Sequence, residues 1–177
     1  MATYNMLFAG FGGQGILSAG RLAAYAGFLT DKEVSWMPSY GAESRGGTSN
    51  CAVIISDSLI GSPIVANPDI LMVMNLPSLD KFEGGVKSGG TVFIDESLIG
   101  RKLGRGDIKG VYIPATALAD RNNMSKSANI IMMGKMMKET GLFTSDIIKA
   151  SIEKCFPKAK PEMIELNMKA FDIGYNY

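Results

Sequence analysis

The run Phe8–Ile16, FAGFGGQGI, carries glycine at 10, 12, 13 and 15 and no charged side chain. Gly10, Gly12 and Gly15 fit the G-x-G-x-x-G spacing of phosphate- and dinucleotide-binding turns. Without a Cβ the backbone can turn sharply and approach an anion, and the free N–H groups of a helix start point partial positive charge at it. Gly10, Gly12, Gly13, Gln14 and Gly15 are therefore the candidate phosphate contacts. Two parts of a nucleotide fingerprint are missing. Asp31 and Glu33 stand near the distance of a ribose-binding acid, but they precede the second apolar strand instead of ending it. Gln14 and Ile16 stand where the lysine of a Walker loop would be. Spacing alone leaves two readings open, a phosphate cradle and a tight structural turn.

A second polar constellation follows at Ser39–Asn50, SYGAESRGGTSN, where Tyr40, Glu43 and Arg45 sit among Gly41, Gly46 and Gly47. Ordering such a loop costs backbone entropy that only specific contacts offset. Glu43 and Arg45 are two apart, so in an extended segment they face one side and can pair or jointly hold a polar ligand. The plainer alternative is a solvated ion pair worth ~0–1 kcal/mol. With no histidine and no G-x-S-x-G elbow, the chain offers no nucleophile–base pair, and no catalytic residue is assigned. Two cysteines and no histidine also fall short of the roughly four ligands that an iron–sulfur cluster or a structural zinc needs.

The elements that must position these residues alternate. Tyr4–Ala9 reads as a strand and Gly15–Leu29 as a helix, so the glycines join the two. Glu33–Met37 reads as a short second strand, 38–47 as a loop, and Ser49–Ser56 as a buried third strand. After a turn at 56–58, Leu59–Val65 is expected to return antiparallel to that third strand, with Ser62 and Pro63 as an edge turn capping the hairpin. Ile70–Asn75, Thr91–Asp95 and Val111–Pro114 read as further strands, with a short helix over Pro77–Phe82 and a surface loop at 100–110. The remainder is helical: Ala128–Thr140, then Ser145–Phe156 capped by Thr144, then Pro161 to about Phe171. This alternation predicts an α/β fold, a mixed and largely parallel sheet covered on both faces.

A length of 177 residues suits a single domain spanning 1–177, which would bury roughly two-thirds of its unfolded surface. The near-neutral balance of 18 basic and 17 acidic residues lacks the one-sided basic face that nucleic acid requires. No basic leader and no run of ~18 apolar residues is present, and Cys51 and Cys155 read as reduced and buried, which together predict a cytoplasmic protein without a membrane span. The 12 methionines suit a core or an adaptable contact surface.

GFGGQGI near the start, SYGAESRGG, IGSPIV at 60–65, NIIMMG at 129–134 and NMKAFDIG at 167–174 occur in that order. Together they resemble the gamma subunit of 2-oxoacid:ferredoxin oxidoreductases over nearly the whole chain. The resemblance implies a three-layer α/β/α sandwich with a Rossmann-like glycine loop after strand 1. It implies a subunit, inactive alone, of an enzyme that converts a 2-oxoacid, coenzyme A and oxidised ferredoxin into acyl-CoA, carbon dioxide and reduced ferredoxin in anaerobic metabolism. Thiamine diphosphate and iron–sulfur clusters would lie on partner subunits, alpha and beta with delta as a further candidate, and coenzyme A would be the co-substrate. Ferredoxin would be met through the complex, and the isolated chain could form a homodimer. Gly10, Gly12, Gly13, Gln14 and Gly15, with Tyr40, Glu43, Arg45, Gly46 and Gly47, would then line the coenzyme A access path, Arg45 and the glycine amides near its phosphates and Glu43 orienting Arg45 or contacting a neighbour. Asn129 and Asn167 are expected to pack or bond backbone. Two other classes stand beside this one: an independent nucleotide-binding enzyme of the doubly wound type, and a scaffold that touches no ligand.

Overall fold

The computed structural model describes residues 2–40 and 48–177. Six strands, β1 (Thr3–Phe11), β2 (Glu33–Tyr40), β3 (Thr48–Ser56), β4 (Ile70–Val73), β5 (Thr91–Asp95) and β6 (Lys109–Ile113), form one sheet in the order β2-β3-β1-β4-β5-β6. β3 runs antiparallel to both neighbours, and β4, β5 and β6 run parallel to β1, so the sheet is mixed as expected.

Period-two alternation divides the strand side chains between two cores. Met6, Phe8, Cys51, Val53, Met72 and Phe93 pack on one face under α1 (Ile16–Phe28), α3 (Ala115–Arg121), α4 (Ala128–Thr140), α5 (Ser145–Cys155) and α6 (Pro161–Tyr175). Leu7, Ala9, Ala52, Leu71, Val73 and Ile94 pack on the other face under α2 (Leu76–Phe82) and the segments around it. Burial on both faces is why β4 reads as an unbroken apolar run, ILMV. Cys51 and Cys155 are free and buried, and burial pushes their thiols up to about 12 and about 11, so neither is a thiolate nucleophile at neutral pH.

The helices stack with little room at one crossing. A Cβ on Gly174 would stand 1.8 Å from the Ile131 carbonyl oxygen of α4, and one on Gly134 would stand 2.1 Å from the Phe171 carbonyl oxygen of α6. Only glycine lets these backbones touch. The helix α6 runs past Phe171 to Tyr175, which places Gly174 within it.

Three sequence readings are corrected. Leu59–Val65 forms no strand, and 57–69 is an irregular connection with Leu59 and Ile64 exposed. The reason lies in the sheet: β3 is already paired along its length with β1 on one side and β2 on the other, so no edge is free for a hairpin. Ser62 and Pro63 therefore cap no hairpin, and the Ser62 hydroxyl instead accepts from the Ile64 N–H at 3.2 Å. The second strand does not stop at Met37. It runs to Tyr40 through Pro38, which is tolerated because β2 is a sheet edge. The helix α3, directly after β6, has no counterpart in the sequence reading. Its fully buried residues are Ala115 and Ala119, with Leu118 packed partly buried beside them, too little to give a helical hydrophobic signal.

Candidate functional site

Strand order reverses between β1 and β4: the chain leaves β1 toward β2 and β3 on one side and continues from β4 toward β5 and β6 on the other. Ligands of open α/β sheets bind in the crevice at such a point, outside the carboxyl ends of the strands. Here the crevice is flanked by the turn Gly12–Gly15 after β1 and the segment Met74–Ser78 after β4, neither of which carries a charged side chain.

The turn is held from within. The Gln14 N–H donates to the Phe11 carbonyl at 3.2 Å, while Gln14 Oε1 accepts from the Phe11 N–H at 2.6 Å. Gln14 Nε2 donates to the Met74 carbonyl at 2.8 Å, so one side chain ties the glycine turn to the end of β4. Gly13 and Gly15 have φ of 94° and 74°, a region in which other residues are strained. Gly15 caps α1 without any side-chain acceptor, and the first turn of α1 holds no acid, so the helix itself does not offset its N-terminal partial charge.

The remaining glycines separate by what surrounds them. At Gly10 a Cβ would meet Gln14 Oε1 at 2.6 Å and Ile16 at 2.8 Å. At Gly15 it would meet Asn129 Nδ2 at 2.5 Å, the same atom that donates to the Gly15 carbonyl at 3.0 Å. Asn129 thus bonds backbone, as its sequence reading expected. Gly12 differs from all of these, being exposed, with no positive φ and no described atom within 4 Å of its would-be Cβ.

Sequence reasoning missed the other lip. Asn75 caps α2, its Oδ1 accepting from the Ser78 N–H at 2.8 Å, and Asn75 Nδ2 and Ser78 Oγ are buried with no partner among the described residues. The signal was present in the order Asn-Leu-Pro-Ser, an N-cap three residues before a serine with proline in the first turn. Beside it, buried Asp95 ends β5 and accepts from Thr116 Oγ1 at 2.5 Å and from the Ser97 N–H at 3.1 Å, joining that strand to the start of α3.

Register places the second constellation's flanks. Tyr40 pairs with Ser49, which pairs with Gly10, and Thr48 pairs with Phe11, so β2 ends and β3 begins at the edge that holds the glycine turn. The structure therefore brings Gly10, Gly12, Gly13, Gln14 and Gly15 together at this edge, with the backbone of Tyr40 two strands away. Glu43, Arg45, Gly46 and Gly47 lie outside the described residues. No group of three or more potential metal ligands gathers among the described residues, and no described helix is long and apolar enough to cross a membrane.

Comparison with known proteins follows the whole chain. Residues 5–177 match the family described as pyruvate ferredoxin/flavodoxin oxidoreductase. The chain is 38% identical over 168 residues to ketoisovalerate oxidoreductase subunit VorA of Methanothermobacter thermautotrophicus, covering 94% of this chain and 34% of that subunit. It is 37% identical over 169 residues to 2-oxoglutarate synthase subunit KorC of Methanocaldococcus jannaschii, covering 94% and 89%. Among solved structures, the keto/oxoacid ferredoxin oxidoreductase gamma subunit from Geobacter sulfurreducens matches with a TM-score of 0.82 at 30% identity, covering 98% of this chain and 96% of that one. The chain spans about a third of the ketoisovalerate oxidoreductase subunits it matches, which are longer proteins.

Proposed function

Since this chain belongs to the pyruvate ferredoxin/flavodoxin oxidoreductase family, we propose that it is the gamma subunit of a multisubunit 2-oxoacid:ferredoxin oxidoreductase, active only in the complex. Thiamine diphosphate and the iron–sulfur clusters, which supply decarboxylation and electron transfer, belong on this reading to alpha, beta and delta-type partners. The contribution of this chain, a single gamma-type domain, is a wall. The turn Gly10–Gly15 and the residues Tyr40, Glu43, Arg45, Gly46 and Gly47 line the access path of coenzyme A, with the amides of the turn and Arg45 facing its phosphates.

The observation that carries this reading is Gly12. Its bare Cα is required neither by backbone conformation nor by any described neighbour, which fits a surface reserved for close approach by something outside the chain. The uncapped positive end of α1 beside it suits an anion. Leu59 and Ile64, exposed on the 57–69 connection, supply apolar surface of the kind partner subunits cover.

Anaerobic purification of the tagged chain from its native cell tests the assignment. The expected product is a brown complex that contains thiamine diphosphate and reduces ferredoxin with a 2-oxoacid and coenzyme A. In that complex Arg45→Ala raises the apparent KM for coenzyme A. A colourless chain that purifies alone and binds a nucleotide overturns the assignment, and an unchanged KM with intact assembly removes the role of Arg45.

A further inference from the structure

The connection between β3 and β4, 57–69, carries no charged side chain from Ser58 to Pro68, the run SLIGSPIVANP. The connection between β5 and β6, 96–108, has the same length and the same opening, an acid followed by Ser-Leu-Ile-Gly. It continues with Arg101, Lys102, Arg105 and Asp107, and Arg101 reaches Asp80 at 2.6 Å and Glu83 at 2.7 Å while Arg105 pairs with Asp107. The second connection is finished as a water-facing loop, and the first is not.

The uncharged connection is nevertheless anchored. At its start Asp57 pairs with Lys32 and accepts from the Ala2 N–H at 2.7 Å. At its end Asp69 accepts from the Asn5 N–H at 3.0 Å and pairs with Lys87 at 3.1 Å. Between them Asn67 Nδ2 donates to the Gly85 carbonyl at 3.0 Å, and Val65 packs against the core that holds Leu7, Ala52 and Leu71. The other side is bare, with Leu59 88% and Ile64 68% exposed. Single exposed apolar side chains are ordinary, but two on one anchored, charge-free segment match the core of a protein interface, where charge is depleted. Because both ends are already fixed, little ordering entropy is left to oppose docking.

We propose that Ser58–Pro68 is a docking peg, and that its receiver is an uncharged apolar cleft on the partner that corresponds to the remainder of the longer relatives. The ketoisovalerate oxidoreductase subunits carry this domain as about a third of their length. In those chains the domain is tethered to the remainder at high effective concentration, which makes that remainder the neighbour for which an apolar face is kept. Leu59 and Ile64 enter the cleft, and their burial supplies the driving force. The inference rests on the gamma-subunit reading and assigns the surface through which that subunit is held.

The test uses the tagged chain in its complex, purified anaerobically from the native cell. Leu59→Asp and Ile64→Asp each put a charge on the peg, and each is expected to lower about tenfold the amount of that partner recovered per tagged chain, the partner being identified by peptide mass as matching the remainder of the longer relatives. Leu98→Asp, at the equivalent place on the charged connection and 46% exposed, is expected to leave recovery unchanged. A p-benzoylphenylalanine in place of Leu59 is expected to cross-link to the same partner, and one in place of Leu98 not to. Should Ile64→Asp fail to fold, Leu59→Asp and the cross-link still decide. Full recovery with both aspartates, an equal loss in Leu98→Asp, or a cross-link from position 59 to a different subunit overturns the docking inference and leaves the gamma-subunit reading standing. A parent chain that purifies without partners overturns both.

Discussion

Glycine does opposite work in two regions of this protein. At the crossing of α4 and α6, the space a Cβ would occupy at Gly134 and Gly174 is filled by the backbone of the other helix. At Gly12, in the turn after β1, that space holds no described atom. The first use is internal and mechanical, since the residue is needed for the chain to pack on itself. Among the described residues the second has no internal reason. The contrast teaches that a glycine-rich motif is sorted into structural and ligand-facing positions by what surrounds each residue, not by spacing. By surroundings Gly10 and Gly15 serve the turn, Gly13 serves it through its positive φ, and Gly12 alone is left to face outward.

Breaking the internal use has the largest effect. Gly134→Ala forces a side chain into the Phe171 carbonyl, and since backbone on both helices must move, a loss of ~3 kcal/mol is expected, or a fall in Tm of about 6–12 °C. A loss below ~0.5 kcal/mol in denaturant titration would show that the two helices part easily and that the contrast is false. Next comes Gln14→Ala, which removes the bonds to Phe11 and Met74 and leaves the Met74 carbonyl without its donor. It is expected to cost ~2 kcal/mol and to speed amide exchange at Phe11. If exchange there is unchanged, the turn is held by something other than Gln14.

Gly12→Val sharpens the outward use. Stability is expected to stay within ~0.5 kcal/mol of the parent, while the KM for coenzyme A of the assembled enzyme rises about tenfold, equal to ~1.4 kcal/mol of binding. A destabilised chain with normal KM would move Gly12 into the structural class.

The smallest expected effect lies at the far end of the β1–β4 seam. Burial would raise the Asp69 carboxyl, but the Asn5 N–H and side-chain amide and the Lys87 ammonium outweigh it and hold the group below the usual carboxylate range. The folded value is thus below the unfolded one. The stabilisation is present above the ordinary carboxylate value near ~4 and is lost as pH falls through the folded value. With Asp69 partly exposed, ~0.5 kcal/mol is expected. Asp69→Asn should flatten the acid limb of the stability curve, and an identical limb in parent and variant would reject the linkage.

Most strands were legible from composition. β5 was read at its true limits, Thr91–Asp95, because an apolar run between turn residues has one interpretation when both faces are buried. Helices α4 and α5 were legible from periodicity and from the Thr144 cap, whose hydroxyl accepts from the Ile147 N–H. The hairpin failed because Leu59–Val65 has strand-like residues while pairing depends on a free edge, and β2 had taken it. In the candidate site, the glycine turn was legible by spacing. The Gln14 bridge to Met74 was not, because partners 60 residues apart leave no local mark, whereas the Asn75–Ser78 lip left a local one, Asn-Leu-Pro-Ser, that the reading passed over.

The sequence by itself determined the alternation of strands and helices, the glycine turn between the first strand and helix, the absence of a histidine or cysteine set for metal, and membership in the family through motifs in fixed order. These are local or compositional, and local chemistry suffices to write them. Only the tertiary structure decided that β3 inserts antiparallel between β1 and β2, that Gly134 meets Phe171, and that Asn129 fills the space beside Gly15. Those outcomes depend on which distant surfaces exclude one another in a close-packed interior, where an atom's allowed place is set by neighbours far away in the chain.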